Sequence, residues 1–133
     1  MNVNKKVKNA TSIVSETGIK FKSKLELFTY TLFLKNGIEL KYEEETFTLM
    51  EGFEYEGRKY RPITYTPDFG HPVLPIIIEV KGFANDAFPL RWKLFCRYLK
   101  LSERKVDVFI VKNQKQVAEC LQQIMDSYSH LLQ

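Results

Sequence analysis

Two carboxylates and a lysine stand in this sequence where an apolar strand pattern has no use for charge. The run Ile76-Ile77-Ile78-Glu79-Val80-Lys81 is rich in β-branched residues and reads as a central, buried strand. Side chains two residues apart share a strand face, so Ile76, Ile78 and Val80 point one way and Ile77, Glu79 and Lys81 the other. Burying either charge without a partner is costly, so both need a reason. The preceding segment alternates too: Ile63, Tyr65, Pro67 and Phe69 form one set, Thr64, Thr66 and Asp68 the other. Pro67 has no N–H for a ladder, so the strand frays or turns there and leaves Asp68 at its end. If the Gly- and Pro-rich turn 70–75 closes an antiparallel pair, Asp68 and Glu79 come within reach of one cation.

Carboxylates converging at strand ends make a hard, oxygen-rich site suited to Mg²⁺. Such an ion would polarise a phosphodiester and lower the pKa of a bound water. Lys81 would orient that water or stabilise charge on phosphorus. Blander roles exist for the same residues. Asp68 suits a turn before Gly70, and Glu79 with Lys81 suits a structural ion pair. His71, beside the turn, reads as a surface residue, and His130 sits in a helical pattern with no partner.

The elements that must hold these groups are legible around them. Ser23-Lys24-Leu25-Glu26 fits a capping box, opening a helix that ends at Asn36-Gly37. Strands are expected over 46–55 and 59–69, joined near Glu56-Gly57, and over 76–81. A base-rich helix over 87–99, a short strand over 106–111 and a last helix opening at Asn113 complete the chain. In that last helix Val117, Cys120, Leu121, Ile124, Met125 and Tyr128 follow the amphipathic period, for an interface or for covering the sheet. The expected domain is a single α/β unit over 18–133, preceded by a mobile basic arm over 1–17 with Lys5, Lys6 and Lys8.

Tyr65-Thr66-Pro67-Asp68-Phe69, followed ten positions after Phe69 by Glu79-Val80-Lys81-Gly82, resembles the signature of the PD-(D/E)XK nuclease superfamily. The helix, three strands, helix and strand match the order of that superfamily's restriction-endonuclease-like core, with a mixed central sheet flanked by helices. Over about residues 18–101 the layout resembles small phage-associated nucleases of the endonuclease I type, which include resolvases of four-way (Holliday) junctions. The resemblance implies a Mg²⁺-dependent endodeoxyribonuclease, with Mn²⁺ able to substitute, acting on branched DNA in recombination. It places Glu26 beside Asp68 and Glu79 as a metal-proximal residue, adds the Val80 carbonyl as a ligand and turns Arg91 towards the site. Glu26 could also be only the capping-box glutamate. The resemblance also implies a homodimer. Other readings are a transposon end-nicking or restriction-type subunit working with a partner, or a DNA-binding module with a disabled site.

Charge supports a polyanionic partner. The net charge is +4, but seven of the 16 acids and only one of the 20 bases fall in the stretch 39–56, leaving 19 bases against nine acids elsewhere. Lys93, Arg97, Lys100 and Arg104 would form one basic helical stripe if the helix persists to Arg104. Lys20, Lys22 and Lys24 add cations before the first helix. The glutamate-rich stretch is expected to lie away from the nucleic acid or to screen it from wrong approaches. A solvated helix face explains the stripe without DNA.

With 44% hydrophobic and 27% charged residues, the composition is globular rather than disordered. No apolar run reaches the roughly 18 residues of a membrane span, and the N-terminus lacks a signal-like apolar segment. An intracellular protein, cytoplasmic and without a membrane partner, is therefore expected. Cys96 and Cys120 read as reduced, packed thiols.

Overall fold

The structure, a computed structural model, describes residues 13–14, 17–82 and 87–132, the first pair by backbone alone. In chain order the elements are β1 (Ile13–Val14), β2 (Lys20–Phe21), α1 (Lys24–Lys35), β3 (Lys41–Tyr42), β4 (Phe47–Met50), β5 (Phe53–Tyr55) and β6 (Arg58–Tyr60). There follow β7 (Ile63–Tyr65), β8 (Phe69–Gly70), β9 (Ile76–Val80), α2 (Phe88–Ser102), β10 (Asp107–Val111) and α3 (Gln114–Tyr128), closed by a short 3₁₀ turn.

A mixed four-stranded sheet, ordered β10-β9-β8-β3, forms the centre. β9 and β10 run parallel, joined through α2, while β8 is antiparallel to both β9 and β3. All five residues of β9 are buried, as a strand covered on both faces must be. The alternation expected from the sequence holds. Ile76, Ile78 and Val80 pack with Tyr30 and Phe33 of α1 and with Val117, Cys120, Leu121 and Ile124 of α3. Ile77 lies on the other face with Phe47, Tyr65 and Phe95. The apolar stripe of α3 therefore covers the sheet.

Both expected capping signals are present. Ser23 Oγ accepts the Glu26 N–H at 3.1 Å, and Asn113 Oδ1 accepts the Gln116 N–H at 2.9 Å. In each case the returning side chain bonds one residue further out than a standard box: Glu26 Oε1 accepts from Lys22 N–H, and Gln116 Oε1 from Lys112 N–H. α1 gives way to Asn36 and to Gly37 at φ +83°, as expected.

Several details differ from the sequence expectation. The long hairpin is broken in both arms. Its base, β4 with β7, packs on the core; its tip, β5 with β6, stands in solvent. The break falls where Gly52 closely approaches the other arm: a Cβ there would lie 2.9 Å from the Tyr60 carbonyl oxygen and 3.1 Å from Pro62. The turn at Glu56-Gly57 is as expected, with both residues at positive φ, the two-residue form that suits strand twist. β3, too short to show a pattern, supplies the fourth strand of the central sheet. Within the proposed arm 1–17, Ile13–Val14 pair with Lys20–Phe21; residues 1–12, 15 and 16, including Lys5, Lys6 and Lys8, lie outside the described residues. Cys96 is exposed, on the outer side of α2, whereas Cys120 is packed in the core and its thiol is pushed up to about 12 by burial. Among the described residues no helix is long and apolar enough to cross a membrane.

Candidate functional site at the end of the central sheet

Phe69 pairs with Ile78 in antiparallel register, and one further step along that register sets Asp68 opposite Glu79. Opposed residues share a face, so the two carboxylates point to the same side. Both are buried, each at 8% exposure, and Glu26 from the first turn of α1 is buried beside them at 5%. Glu26 reaches the end of the sheet because α1 buries Glu26, Thr29, Tyr30 and Phe33, one continuous helical face.

Each carboxylate is anchored by donors. Asp68 Oδ2 accepts the Val80 N–H at 2.7 Å, so the side chain continues the ladder where Pro67 cannot. Glu79 Oε1 accepts the Tyr65 hydroxyl at 2.5 Å. Glu26 Oε1 accepts both the Lys22 N–H at 2.8 Å and the Tyr42 hydroxyl at 2.9 Å. Both bonds fall on Oε1, and the second Glu26 oxygen takes no part in them. The Glu26 carboxyl also acts on Asp68, raising its pKa.

Such crowding shifts protonation. Burial, followed by the charge of Glu79, pushes the Asp68 carboxyl up to about 8, against the Val80 N–H bond, which favours the anion. Burial raises Glu79 as well, opposed by the Tyr65 hydroxyl, the Lys81 ammonium and a bond from the Asp68 backbone. Tyr42 and Tyr65 are raised by burial and by their carboxylate partners, so both remain protonated donors.

The cations fall into separate groups. Lys81 follows β9, its N–H continuing the parallel ladder to the Val111 carbonyl, and its Nζ lies 4.4 Å from the centre of the Phe88 ring. No ion pair joins it to Glu79. Lys22 carries an ion pair to Glu43 at 2.8 Å and feels the charges of Glu26 and Asp68. Lys20 and Lys24 are exposed near it. On α2, Lys93, Arg97 and Lys100 form an exposed stripe opposite Trp92, Phe95 and Leu99. That stripe ends at Lys100: α2 stops at Ser102, Glu103 turns left-handed at φ +57°, and Arg104 makes a two-pronged ion pair with Glu45 over the Phe47 ring. Glu43 and Glu45, from the glutamate-rich stretch, therefore each hold one of the bases. Arg91 is half-buried on α2, with Nε buried and without a hydrogen-bond partner among the described residues. His71 is half-buried, and its Nδ1 accepts the N–H groups of Val73 and Leu74, closing the turn.

Tyr42 and Tyr65 were not singled out by the sequence. They lie 16 and 14 residues from the carboxylates they hold, and no local spacing couples them.

The fold and site define a mixed α/β protein that gathers carboxylates at the end of its central sheet, with lysines around them. Residues 5–117 match the family described as protein of unknown function (DUF1064), and the chain belongs to that family. Neither a curated protein nor a solved structure matches it.

Proposed function

We propose that this protein is a metal-dependent endodeoxyribonuclease of the PD-(D/E)XK type, with a restriction-endonuclease-like core, acting on branched DNA. One observation carries the reading: Glu26, Asp68 and Glu79 are all buried at the end of the central sheet, where burial and the charge of Glu79 raise the Asp68 pKa. Buried, opposed carboxyl groups need a proton or a cation between them. The donors are hard oxygens, the set preferred by Mg²⁺ and Mn²⁺. Among the described residues no group of three or more His, Cys, Asp or Glu side chains is placed to hold a metal ion, so at most two carboxylates would ligate and substrate oxygens and water would complete the coordination.

Asp68 and Glu79 would hold the ion, with Glu26 at its flank and the Val80 carbonyl as a further ligand. When bound, Mg²⁺ supplies charge stabilisation and a more acidic water. The protein's own residues do the rest. Tyr65 and the Val80 N–H fix the carboxylate orientations, leaving little to reorganise during reaction. Lys81, not ion-paired to Glu79, is available to steady the attacking water or the charge on phosphorus. Lys20, Lys22, Lys24, Arg91, Lys93, Arg97 and Lys100 would contact phosphates on either side. Two copies acting together would cut opposed strands; a partner subunit could replace the second copy.

The test is cleavage of a four-way junction, a flap, and linear and supercoiled duplex, each with Mg²⁺ or with EDTA. Mg²⁺-dependent cutting, strongest on the junction and absent in a folded Glu79→Ala protein, is expected. Full activity in Glu79→Ala overturns the assignment. That no such group of three is present among the described residues favours a second reading, a DNA-binding module without catalysis. Titration with Mn²⁺ separates the two, because the module binds no metal.

A further inference from the structure

A second site lies on the sheet face that carries the carboxylates. The register that sets Asp68 opposite Glu79 sets Gly70 opposite Ile77, and Gly70 pairs in turn with Lys41 on β3. Opposed residues and residues two apart share a face, so Lys41, Gly70 and Ile77 form the next row, about 7 Å along the strands from the carboxylates. Over this row lies a cavity of about 320 Å³, walled by Glu44, Glu45, Pro67, His71, Pro72 and Arg104. That volume falls at the lower end of the range for small-molecule sites. Gly70 leaves the floor bare. Glycine is demanded there neither by the backbone, since its φ is not among the positive ones, nor by packing, since a Cβ would meet nothing nearer than the Ile76 carbonyl oxygen at 3.9 Å. Glycine weakens a paired strand, and it commonly marks a place where another molecule comes close.

The rim balances donors against acceptors. Arg104 and Glu45 neutralise each other through their two-pronged ion pair. Lys41, half-buried, and Glu44, exposed, make no ion pair among the described residues. His71 Nδ1 accepts the Val73 and Leu74 N–H groups, so the ring carries its proton on Nε2. Burial, and then the charge of Lys41, lowers the His71 pKa, which keeps the ring neutral and Nε2–H a donor. A phosphate would meet two carboxylates at this rim, and a cationic ligand would meet Lys41 and Arg104. A purely apolar ligand would leave all of these groups without partners. A nucleobase suits the cavity better: it is planar enough to lie on the bare floor beside two prolines, uncharged, and edged with both donors and acceptors. We propose that this cavity takes one unpaired base of the DNA substrate, with Lys41 and His71 donating to its acceptors and Glu44 accepting from an amino group. Cleavage then carries a base preference at a fixed number of nucleotides from the cut. The proposal rests on the nuclease reading for the identity of the nucleic acid, and it deepens that reading by adding a sequence preference to a preference for shape.

His71 is one of two histidines in the chain and His130, the other, is exposed, so in a His130→Gln protein the imidazole NMR signal reports on the cavity wall alone. The experiment titrates this full-length protein, in EDTA, with each of the four deoxynucleoside 5′-monophosphates and with deoxyribose 5-phosphate, which has no base. At least one nucleotide is expected to shift the His71 signal saturably while deoxyribose 5-phosphate leaves it in place. Gly70→Val covers the floor with a strand-favouring side chain and should weaken that binding about tenfold or more. Lys41→Met removes one rim donor and should weaken it about fivefold, the scale of one hydrogen bond, which keeps the test intact if Gly70→Val does not fold. Cleavage is read separately, as the base composition around the cuts in a pool of junctions and flaps with randomised arms. A preferred base at one fixed position, relaxed in Lys41→Met, is expected. The proposal is overturned by a His71 signal that no nucleotide shifts, by an equal shift with deoxyribose 5-phosphate, by unchanged binding in folded Gly70→Val or in Lys41→Met, or by cuts of uniform base composition. Nucleotide binding by a protein that cuts no DNA would leave the cavity standing and remove the nuclease reading. Mg²⁺-dependent cutting without a His71 shift would do the reverse.

Discussion

The carboxylate end of the central sheet and the tip of the β5–β6 hairpin violate the usual distribution of residues in opposite senses. At the first, Glu26, Asp68 and Glu79 are buried among aromatic and aliphatic side chains. At the second, Phe53, Tyr55 and Tyr60 remain 50%, 63% and 38% exposed. Buried charge and exposed aromatic surface are the informative exceptions to burial by polarity. They differ in what maintains them. The carboxylates are held by donors from β3, β7 and β9 and by the Lys22 N–H ahead of α1, so distant parts of the fold act against their unfavourable surroundings. The hairpin supports itself: Phe53 stacks on Tyr60 with centroids 4.9 Å apart, and Arg58 lies over the Tyr60 ring. A function that needs charge in a fixed place has to draw on the rest of the protein, whereas a self-contained hairpin can change with little consequence for the fold.

The largest test of this contrast is Asp68→Asn. An asparagine keeps an acceptor for the Val80 N–H and removes a buried charge opposite Glu79. Cleavage should fall by about a hundredfold or more, the usual scale for losing an electrostatic group at a reacting centre. Metal-free stability should rise at pH 8, read as a higher melting temperature. The sign follows from linkage. The Asp68 carboxyl sits near 8 when folded and near 3.8 when free, so the folded state holds a proton that the unfolded chain has released between those values. Its contribution to stability is complete below about pH 4 and is lost as pH rises towards 8. The wild-type melting temperature in EDTA should therefore fall over that window, and Asp68→Asn should flatten the fall. Mg²⁺ should restore wild-type stability most at the alkaline end. A melting curve that rises with pH in the wild type, or one that Asp68→Asn leaves unaltered, would show that Asp68 is not strained by its surroundings.

Next in size is Tyr65→Phe, which keeps the ring against Trp92 and Phe95 and removes the hydroxyl held by Glu79. Loss of one buried hydrogen bond to a charged group should destabilise the protein by about 1–3 kcal/mol. That hydroxyl lowers the Glu79 pKa, so its loss should raise it further. If ionised Glu79 is required for cleavage, the acid limb of the pH–rate profile moves to higher pH, with activity at neutral pH down about tenfold. An unshifted limb would assign Tyr65 to packing alone.

How much of this was legible before the structure depends on range. Glu79 stood out because strand alternation is a period of two residues, and Asp68 because Pro67 marks a strand end; both signals are local. The register that sets the two opposite each other needed only the short turn between them. Glu26 was visible through its cap. The contacts that complete the site were not: Tyr42, Tyr65 and the Lys22–Glu43 pair depend on tertiary packing, which leaves no periodic trace in the chain. The broken hairpin is a different case. Gly52 and Pro62 are ordinary breakers in the sequence, but their effect arises only because they face each other across the ladder, where close approach excludes a side chain. The basic stripe stops at Lys100 because the condition for extending it to Arg104 is not met: the helix ends at Ser102, before the left-handed Glu103.

The smallest effect is expected at the hairpin. Tyr55 is the most exposed of its three aromatic residues and lies opposite Arg58, away from both core clusters. Tyr55→Ser removes apolar surface that folding hardly shields, so stability should change by no more than about 0.5 kcal/mol. Cleavage of any substrate in the panel should stay within twofold of wild type, because Tyr55 belongs to neither core cluster among the described residues. A stability loss comparable to that of Tyr65→Phe would mean that the tip is packed against something in solution. A second copy of the chain is the first candidate to examine, since β5 carries Glu54 and β6 carries Arg58 and Lys59, so two hairpins could pair acid with base. Sedimentation of wild type and Tyr55→Ser across a concentration series checks this. A dimer that Tyr55→Ser dissociates would turn the hairpin from a tolerated surface into a functional one and remove the contrast with the carboxylate site.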